Sequence, residues 1–181
     1  MSQDNAIAEP RWLDAREQGA WRAYLDMNAR LNARLNREMQ DECGMSIADF
    51  SVLVQLSEHE GSRMRVLELA RALRWEKSRL SHQLTRMGQR GLIERSNCTE
   101  DRRGAFVVLT DAGRQAVEAA APRHVESVRR YLFDGLTAEQ VDALAAISGG
   151  VIARLDDACG DQLDVCDSAA DPGAAPSDSC D

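Results

Sequence analysis

Residues 77–87 read KSRLSHQLTRM, and this stretch decides how the rest of the sequence is interpreted. Leu80, Leu84 and Met87 recur at steps of four and three, which is the spacing of one buried helical face. The polar residues between them follow a second face. The stretch therefore predicts a helix from about residue 76 to residue 89, with an apolar side and a cationic side.

The neighbouring segments predict what this helix is part of. A helix from Ile47 to about Glu58, opened by Ser46 and Asp49, and a short helix over residues 66–74 precede it. Gly91 follows it, and then two strands are predicted over residues 92–98 and 105–109, with the polar loop 99–104 between them. This order of helices and a hairpin is typical of a winged helix-turn-helix.

Long amphipathic helices flank this central region. One is predicted from Arg11 to about Glu42, a second from Thr110 to about Phe133 with Val117, Val125 and other apolar residues inward, and a third runs to about Asp157. Thr137 and Gln140 have the spacing of a capping box at the start of the third. The apolar stripes of these helices exceed what a small core needs, so they require another surface to cover them.

Charge is distributed unevenly along the chain. The 181 residues include 22 Lys and Arg against 30 Asp and Glu, giving a net charge of −8. Residues 62–104 nevertheless contain eleven basic and five acidic residues, so this stretch has a net charge of +6. A basic region in an acidic protein is expected where one surface meets a polyanion, although an Arg-rich solvated surface would give the same count.

Four stretches together resemble the MarR family of bacterial transcriptional regulators. They are KSRLSHQLTRM at 77–87, RGLIER at 90–95, DRR at 101–103 and VLTDAG at 108–113. The order of elements follows that family from about Arg11 to Asp157. The resemblance implies a mainly α fold with a small β-hairpin wing, in which a winged helix-turn-helix domain is joined to a helical dimerisation region.

The helix pattern and the resemblance indicate a set of DNA-binding residues. Arg suits guanine, Gln suits adenine, and Ser or His suits phosphates or bases. In the wing, the resemblance places Arg103 in the minor groove with Asp101 holding the arm, and Arg102 on a phosphate. The whole predicted set is Arg65, Arg74, Lys77, Ser78, Arg79, Ser81, His82, Gln83, Arg86, Asp101, Arg102 and Arg103.

The resemblance also implies a homodimer that binds double-stranded DNA at a palindromic site. The expected organisation is an N-terminal extension (1–10), a first dimerisation helix (11–44), the winged helix-turn-helix region (45–110), C-terminal dimerisation helices (111–158) and an acidic, disordered tail (159–181). The tail contains six Asp and no Lys or Arg after Gly160.

A regulatory signal is expected from the same resemblance. Many family members release DNA when a small, often phenolic or anionic, molecule binds between the dimer helices and the DNA-binding lobe; here the candidate lining residues are Trp21, Tyr24, Asn28 and Met45. Others sense oxidants through cysteine, for which Cys43 and Cys98 are the candidates. Each of these residues is also compatible with an ordinary structural role.

Other classes of function have less support in the sequence. It contains no nucleophile elbow, phosphate loop, metal-ligand cluster or dinucleotide fingerprint, so neither an enzyme nor a cofactor is expected. A winged helix that contacts only proteins stays open as an alternative. No apolar run approaches the roughly 20 residues of a membrane helix, and no signal peptide is recognised, so we expect a cytoplasmic repressor.

Overall fold

A computed structural model of the chain describes residues 10–96 and 106–160. The predicted tip of the wing, nearly all of the predicted N-terminal extension and most of the predicted acidic tail lie outside these residues. The chain divides into two compact units, Met1–Leu132 and Phe133–Asp181.

The first helix, α1, spans Ala15–Cys43. Its start is a capping box: the Asp14 carboxylate accepts a 2.7 Å hydrogen bond from the backbone N–H of Glu17, and the Glu17 carboxylate accepts one of 2.9 Å from that of Asp14. Gly44 ends it in the left-handed conformation, at φ 63°. Met39, near its C-terminal end, is buried, so only the last part of α1 contributes to the core.

The next two helices agree with the prediction. The helix α2 spans Ile47–Glu58 and begins with the capping box of Ser46 and Asp49. The helix α3 spans Val66–Leu73 and ends at Arg74, which has a φ of 53°. This left-handed residue reverses the chain between α3 and the helix that follows, as a helix-turn-helix requires.

The fourth helix, α4, spans Lys77–Gln89. Its predicted inner stripe is confirmed, because Leu80, Leu84 and Met87 are each no more than 1% exposed. These side chains join a core that is formed mainly by α2, α3, α4 and the sheet, whose largest fully buried members are Leu53, Leu56, Leu69, Leu80, Leu84, Met87 and Ile93. The core therefore fixes which side of α4 faces outward.

A small antiparallel sheet completes this part of the fold. Its strands are β1 (Arg63–Arg65), β2 (Ile93–Ser96) and β3 (Phe106–Leu109), in the spatial order β1-β3-β2. The predicted hairpin is confirmed as β2 and β3, with Ile93 opposite Leu109. The strand β1 was not predicted, because three residues with one apolar side chain, Met64, carry no readable alternation.

The fifth helix, α5, spans Asp111–Val128 and continues into a π-helical turn, Arg129–Phe133. The predicted inward stripe is partly wrong: Val117 is buried, but Val125 is 57% exposed. Besides Val117, the buried positions of α5 are Gly113, Ala120 and Ser127. Ser127 takes an inward place because its hydroxyl has a buried polar partner on α1, described below.

Gly113 lets α5 approach the base of the hairpin. A Cβ atom built there would lie 2.1 Å from the carbonyl oxygen of Leu92 and 2.8 Å from Cδ1 of Leu109. No side chain fits at such distances, so the close contact between α5 and the hairpin depends on glycine.

The sixth helix, α6, spans Ala138–Gly160 in the second unit. The predicted capping box is confirmed by hydrogen bonds of 2.9 Å from the Thr137 N–H to Gln140 Oε1 and 3.4 Å from the Gln140 N–H to Thr137 Oγ1. Several large apolar side chains along this helix are exposed in the single chain: Ile147, Val151, Ile152 and Leu155. Among the described residues, no helix has both the length and the hydropathy needed to cross a membrane.

Candidate nucleic-acid interface

The outward side of α4 presents a polar, cationic surface. Its exposed members from the predicted set are Lys77, Ser78, Arg79, Ser81, His82 and Arg86. They lie opposite the buried stripe of Leu80, Leu84 and Met87, which anchors the helix. We call these six residues the α4 face.

Arg79 on the α4 face is supported by an aromatic ring. Its guanidinium carbon lies 4.4 Å from the centroid of the half-buried Trp75 ring. A cation–π contact of this kind limits the conformations of a long side chain without consuming its hydrogen-bond donors. Arg79 can therefore still donate to a base or a phosphate.

Gln83 does not belong to the exposed surface, and its predicted placement there is wrong. It is only 3% exposed. Its Nε2 donates a 2.6 Å hydrogen bond to Oδ1 of Asp49, and its Oε1 accepts one from the guanidinium of Arg86. Helical spacing alone predicts that Gln83 lies beside Arg79 and Arg86 on the exposed side. Its hydrogen bond to the Asp49 carboxylate on α2 instead turns the side chain toward the core.

The two predicted arginines before α4 lie at different places. Arg65 is half-buried on β1, with its guanidinium carbon 4.8 Å from the centroid of the Phe106 ring on β3. Arg74 is exposed at the C-terminal end of α3. Both belong to the first unit, but neither is on the α4 face.

The predicted wing contacts cannot be placed in the same way. Asp101, Arg102 and Arg103 lie outside the described residues, as does Cys98. The strands that carry them, β2 and β3, are paired from Ile93 with Leu109 to Ser96 with Phe106. Arg95 on β2 also donates a 3.0 Å hydrogen bond to the carbonyl of Ser81 on α4, so the hairpin and the α4 face are directly connected.

The residues predicted to line an effector crevice do not come together within the chain. Met45 is 4% exposed and belongs to the core, whereas Trp21 and Tyr24 are about half exposed on α1, where their rings stack at 5.7 Å. Asn28 lies one turn further along and is exposed. At 1.5 Å per helical residue, Asn28 stands roughly 22 Å from the end of α1 next to Met45.

A different groove lies along α2. It has a volume of about 330 Å³ and its lining includes Phe50, Val54, Trp75 and His124. The rings of Phe50 and His124 contact each other, with centroids 4.8 Å apart. Burial lowers the pKa of His124, because desolvation disfavours the charged imidazolium. The groove thus presents the rings of Phe50, Trp75 and His124 among aliphatic and polar side chains, and its histidine favours the neutral form.

Glu38 is the centre of a polar cluster between α1 and α5. Its side chain is 11% exposed. It accepts hydrogen bonds from the hydroxyl of Ser127, at 2.6 Å, and from that of Tyr131. These two donors, aided by Arg34 and Arg130, hold the pKa of Glu38 below its usual value. The cluster fastens the C-terminal part of α1 to α5.

Asp49 is the polar residue whose role the sequence analysis missed. Its carboxylate, 5% exposed, binds Gln83 and also accepts a 2.9 Å hydrogen bond from Nη1 of Arg90. Arg90 in turn donates a 2.9 Å bond to the carbonyl of Gly44. The spacing of Ser46 and Asp49 signals a capping box, but nothing local in the sequence indicates these long-range partners.

Cys43 is the one predicted redox residue among the described residues, because Cys98 lies outside them. Cys43 is half-buried at the end of α1. In the described part of the chain, no group of three or more His, Cys, Asp or Glu side chains is arranged to hold a metal ion.

Comparisons with known proteins agree with this architecture. Residues 45–104 match the model of the MarR family. AbsC, a MarR family transcriptional regulator from Streptomyces coelicolor, has 43% sequence identity to this chain. Its crystal structure superimposes with a TM-score of 0.76, and the match covers 82% of this chain and 99% of AbsC. Sco3205 from the same organism, a MarR family regulator solved in complex with DNA, is 40% identical with a TM-score of 0.75, covering 79% and 90%.

A more distant relative is named for a regulatory activity. The transcriptional repressor MprA of Escherichia coli K12 is 26% identical over 136 residues, which are 75% of this chain and 76% of that repressor.

The three helices α2, α3 and α4, together with the hairpin of β2 and β3, define a winged helix-turn-helix protein. Its fold is mainly helical with a small three-stranded sheet. The extent and identity of the matches then identify the family: this chain belongs to the MarR family of transcriptional regulators.

Proposed function

We propose that this protein is a sequence-specific, double-stranded-DNA-binding transcriptional repressor that acts as a homodimer. The observation that carries the proposal is the α4 face, a cationic surface on a helix that the core holds by its opposite side. Two similar proteins support the proposal: MprA is a transcriptional repressor, and Sco3205 was solved in complex with DNA.

The α4 face supplies two kinds of contact. Arg79 and Arg86 have guanidinium groups suited to bidentate contact with guanine in the major groove. Lys77, Ser78, Ser81 and His82, toward the N-terminal end of α4, suit phosphates or base edges. Arg65 and Arg74 are assigned to the DNA backbone.

The wing supplies the second contact region. Arg103 enters the minor groove beside A·T-rich flanks, Asp101 orients the arm, and Arg102 contacts a phosphate. This assignment comes from the motif at 101–103, and it is compatible with the hydrogen bond that joins β2 to α4.

Dimerisation covers the exposed apolar side chains of the long helices. Trp21, Tyr24 and Leu25 on α1, and Ile147, Val151 and Leu155 on α6, are all at least 42% exposed in the single chain. A two-fold dimer buries such surfaces and presents two α4 faces to a palindromic site.

The groove beside Phe50, Trp75 and His124 is the proposed effector site. Its aromatic lining suits a small phenolic or aromatic acid molecule, which replaces the lining first expected from Trp21, Tyr24, Asn28 and Met45. A protein of the same fold at 17% identity, the organohalide-sensing transcriptional regulator RdhR, was solved in a 2,4-dichlorophenol-bound form. Thermal shift with a panel of phenols and aromatic acids, read together with DNA release, tests this part; stabilisation without release contradicts it.

Oxidation of Cys43 or Cys98 is the alternative signal. If a thiol is the sensor, peroxide should release DNA from the wild type and not from the double variant Cys43→Ser, Cys98→Ser. Release from both proteins, or from neither, removes thiol sensing.

The main experiment measures affinity for DNA from the region upstream of the protein's own gene at several salt concentrations. A protein that neutralises several phosphates weakens steeply with salt, with a log–log slope of roughly −0.9 per phosphate contact. Absent or salt-insensitive binding would favour a winged helix that contacts only proteins.

A further inference from the structure

One buried carboxylate connects the start of α2 to the outward side of α4. Oδ2 of Asp49 accepts hydrogen bonds of 2.9 Å each from the N–H and the hydroxyl of Ser46 and from Nη1 of Arg90. Oδ1 accepts the 2.6 Å bond from Nε2 of Gln83. Both oxygens of Asp49 are therefore occupied by donors.

This arrangement fixes the orientation of the Gln83 amide. An ionised carboxylate only accepts hydrogen bonds, so the side of Gln83 that faces Asp49 has to be its NH2 group. The amide oxygen must then face the other way, where it accepts the hydrogen bond from the guanidinium of Arg86. With the opposite amide orientation, NH2 would face a cation.

Burial makes this orientation consequential. Asp49 and Gln83 are 5% and 3% exposed, so water competes little for their hydrogen bonds. Arg86 is exposed on the α4 face, but its Nη2 donates a hydrogen bond to Oε1 of the buried Gln83. A guanidinium held in this way loses less conformational freedom on binding a base than one that moves freely in water.

We propose that Asp49 and Gln83 are positioning residues, which hold Arg86 in the orientation from which it reads one base of the operator. This inference rests on the proposed DNA-binding function. It assigns to Gln83 an indirect role in sequence recognition in place of the direct base contact expected from the sequence.

The first test replaces each positioning residue by one of nearly the same shape. Gln83→Met removes the amide, and Asp49→Asn leaves only one acceptor oxygen where two are needed, so that an NH2 group faces either Arg90 or Gln83. Base preferences are measured with a library of operator variants. Both changes are expected to reduce the preference at one base position on the order of fivefold or more, as loss of a bidentate base contact does.

The second test asks whether the effect passes through Arg86. Arg86→Ala alone should abolish the preference at that same position, and adding Gln83→Met should change it no further. In a protein that already carries Arg79→Ala, Gln83→Met should still reduce the preference at that base position by the same factor. Ser46→Ala is the control, because it removes a different hydrogen bond from the same carboxylate and leaves Gln83 in place; it should lower thermal stability without altering base preference.

The outcomes separate this inference from the proposed function. Absence of salt-dependent DNA binding in the wild type overturns both. Normal binding with unaltered base preference in Gln83→Met, or in Arg86→Ala, overturns the positioning role and leaves DNA binding standing. If Asp49→Asn does not fold, as thermal unfolding would reveal, the two Gln83→Met experiments decide the question alone.

Discussion

The hydroxyl of Ser127 on α5 donates a 2.6 Å hydrogen bond to the carboxylate of Glu38 on α1, 89 positions earlier in the chain. Ser127 is 6% exposed, and the Glu38 side chain 11%. A charged acceptor in such surroundings depends on its donors, so this pair fastens α1 to α5 next to the DNA-binding lobe.

Replacing Ser127 by Ala should therefore lower stability by about 1–2 kcal/mol, since it leaves a partly buried charged acceptor with one donor fewer. Chemical denaturation of the two proteins measures the difference. Ser57→Ala is the matched control, because the Ser57 hydroxyl donates to a carbonyl three residues away on its own helix, that of Val54. Equal losses in the two variants would mean that the Glu38 cluster contributes nothing particular.

Lowering the pH should lower the free energy of unfolding over a pH range that depends on His124. Its pKa is lowered by burial, so between its folded pKa and the ordinary value of about 6.5 the unfolded chain binds a proton that the folded chain does not. Stability is therefore undiminished above that ordinary value and falls as the pH drops below it. The lowered pKa of Glu38 acts at lower pH, below the usual range of a carboxyl group.

His124→Phe, which keeps a ring against Phe50, should flatten the fall in unfolding free energy between about pH 7 and about pH 5.5. His82→Gln is the control, since it removes an exposed imidazole from α4. An unchanged pH profile in His124→Phe would show that another group governs this range.

Gly113→Ala should destabilise the protein by roughly 1–3 kcal/mol or more, because the new methyl group would overlap the Leu92 carbonyl at 2.1 Å. Gly88→Ala on α4 is the contrasting change, because its Cβ would meet its nearest neighbour, the Ile93 carbonyl, at an ordinary 4.0 Å. That variant should gain up to about 1 kcal/mol from helix propensity. Thermal melts that rank the two variants in the opposite order would contradict the close approach of α5 to the hairpin.

If the proposed dimer forms through α6, Ile147→Glu should convert it to monomers and thereby weaken operator binding, since Ile147 is 66% exposed in the single chain and a charge there opposes burial. Sedimentation velocity gives the oligomeric state. Ala153→Glu adds the same charge on the helical face of Asp142 and Asp157 and should leave the dimer intact. A dimer that survives Ile147→Glu would remove this face of α6 from the interface.

Arg103→Ala should weaken operator binding, relax the preference for A·T-rich flanks and reduce the salt slope by about 1. Arg22→Ala is the control. It makes the same change of charge at an exposed site on α1, outside the proposed DNA interface. If the two variants bind alike, with the same flank preference, the wing assignment fails.

The comparison between sequence and structure shows which features are locally encoded. Capping residues and buried stripes act within a few positions, so Ser46 and the Leu80–Leu84–Met87 stripe predicted their helices correctly. The helix and strand patterns supplied the order of the elements, and the family resemblance supplied the expected class of function.

Features that depend on distant partners were missed. Gln83 looks exposed by helical spacing, and only the carboxylate of Asp49, 34 positions away, explains its burial. Likewise, Ser127 takes an inward place that the apolar pattern of α5 assigned to its neighbours, because Glu38 lies opposite. The strand β1 exists only through its pairing with β3. No window of sequence contains both members of such pairs.

The Asp49 carboxylate has a practical consequence for engineering operator specificity. Moving only residues 77–90 of this chain into a relative that has no carboxylate at the position of Asp49 would leave Gln83 and Arg90 without their acceptor on α2. Chimeras intended to swap target sequences should therefore carry position 49 along with the exchanged helix, even though that side chain is too deeply buried to touch a nucleotide.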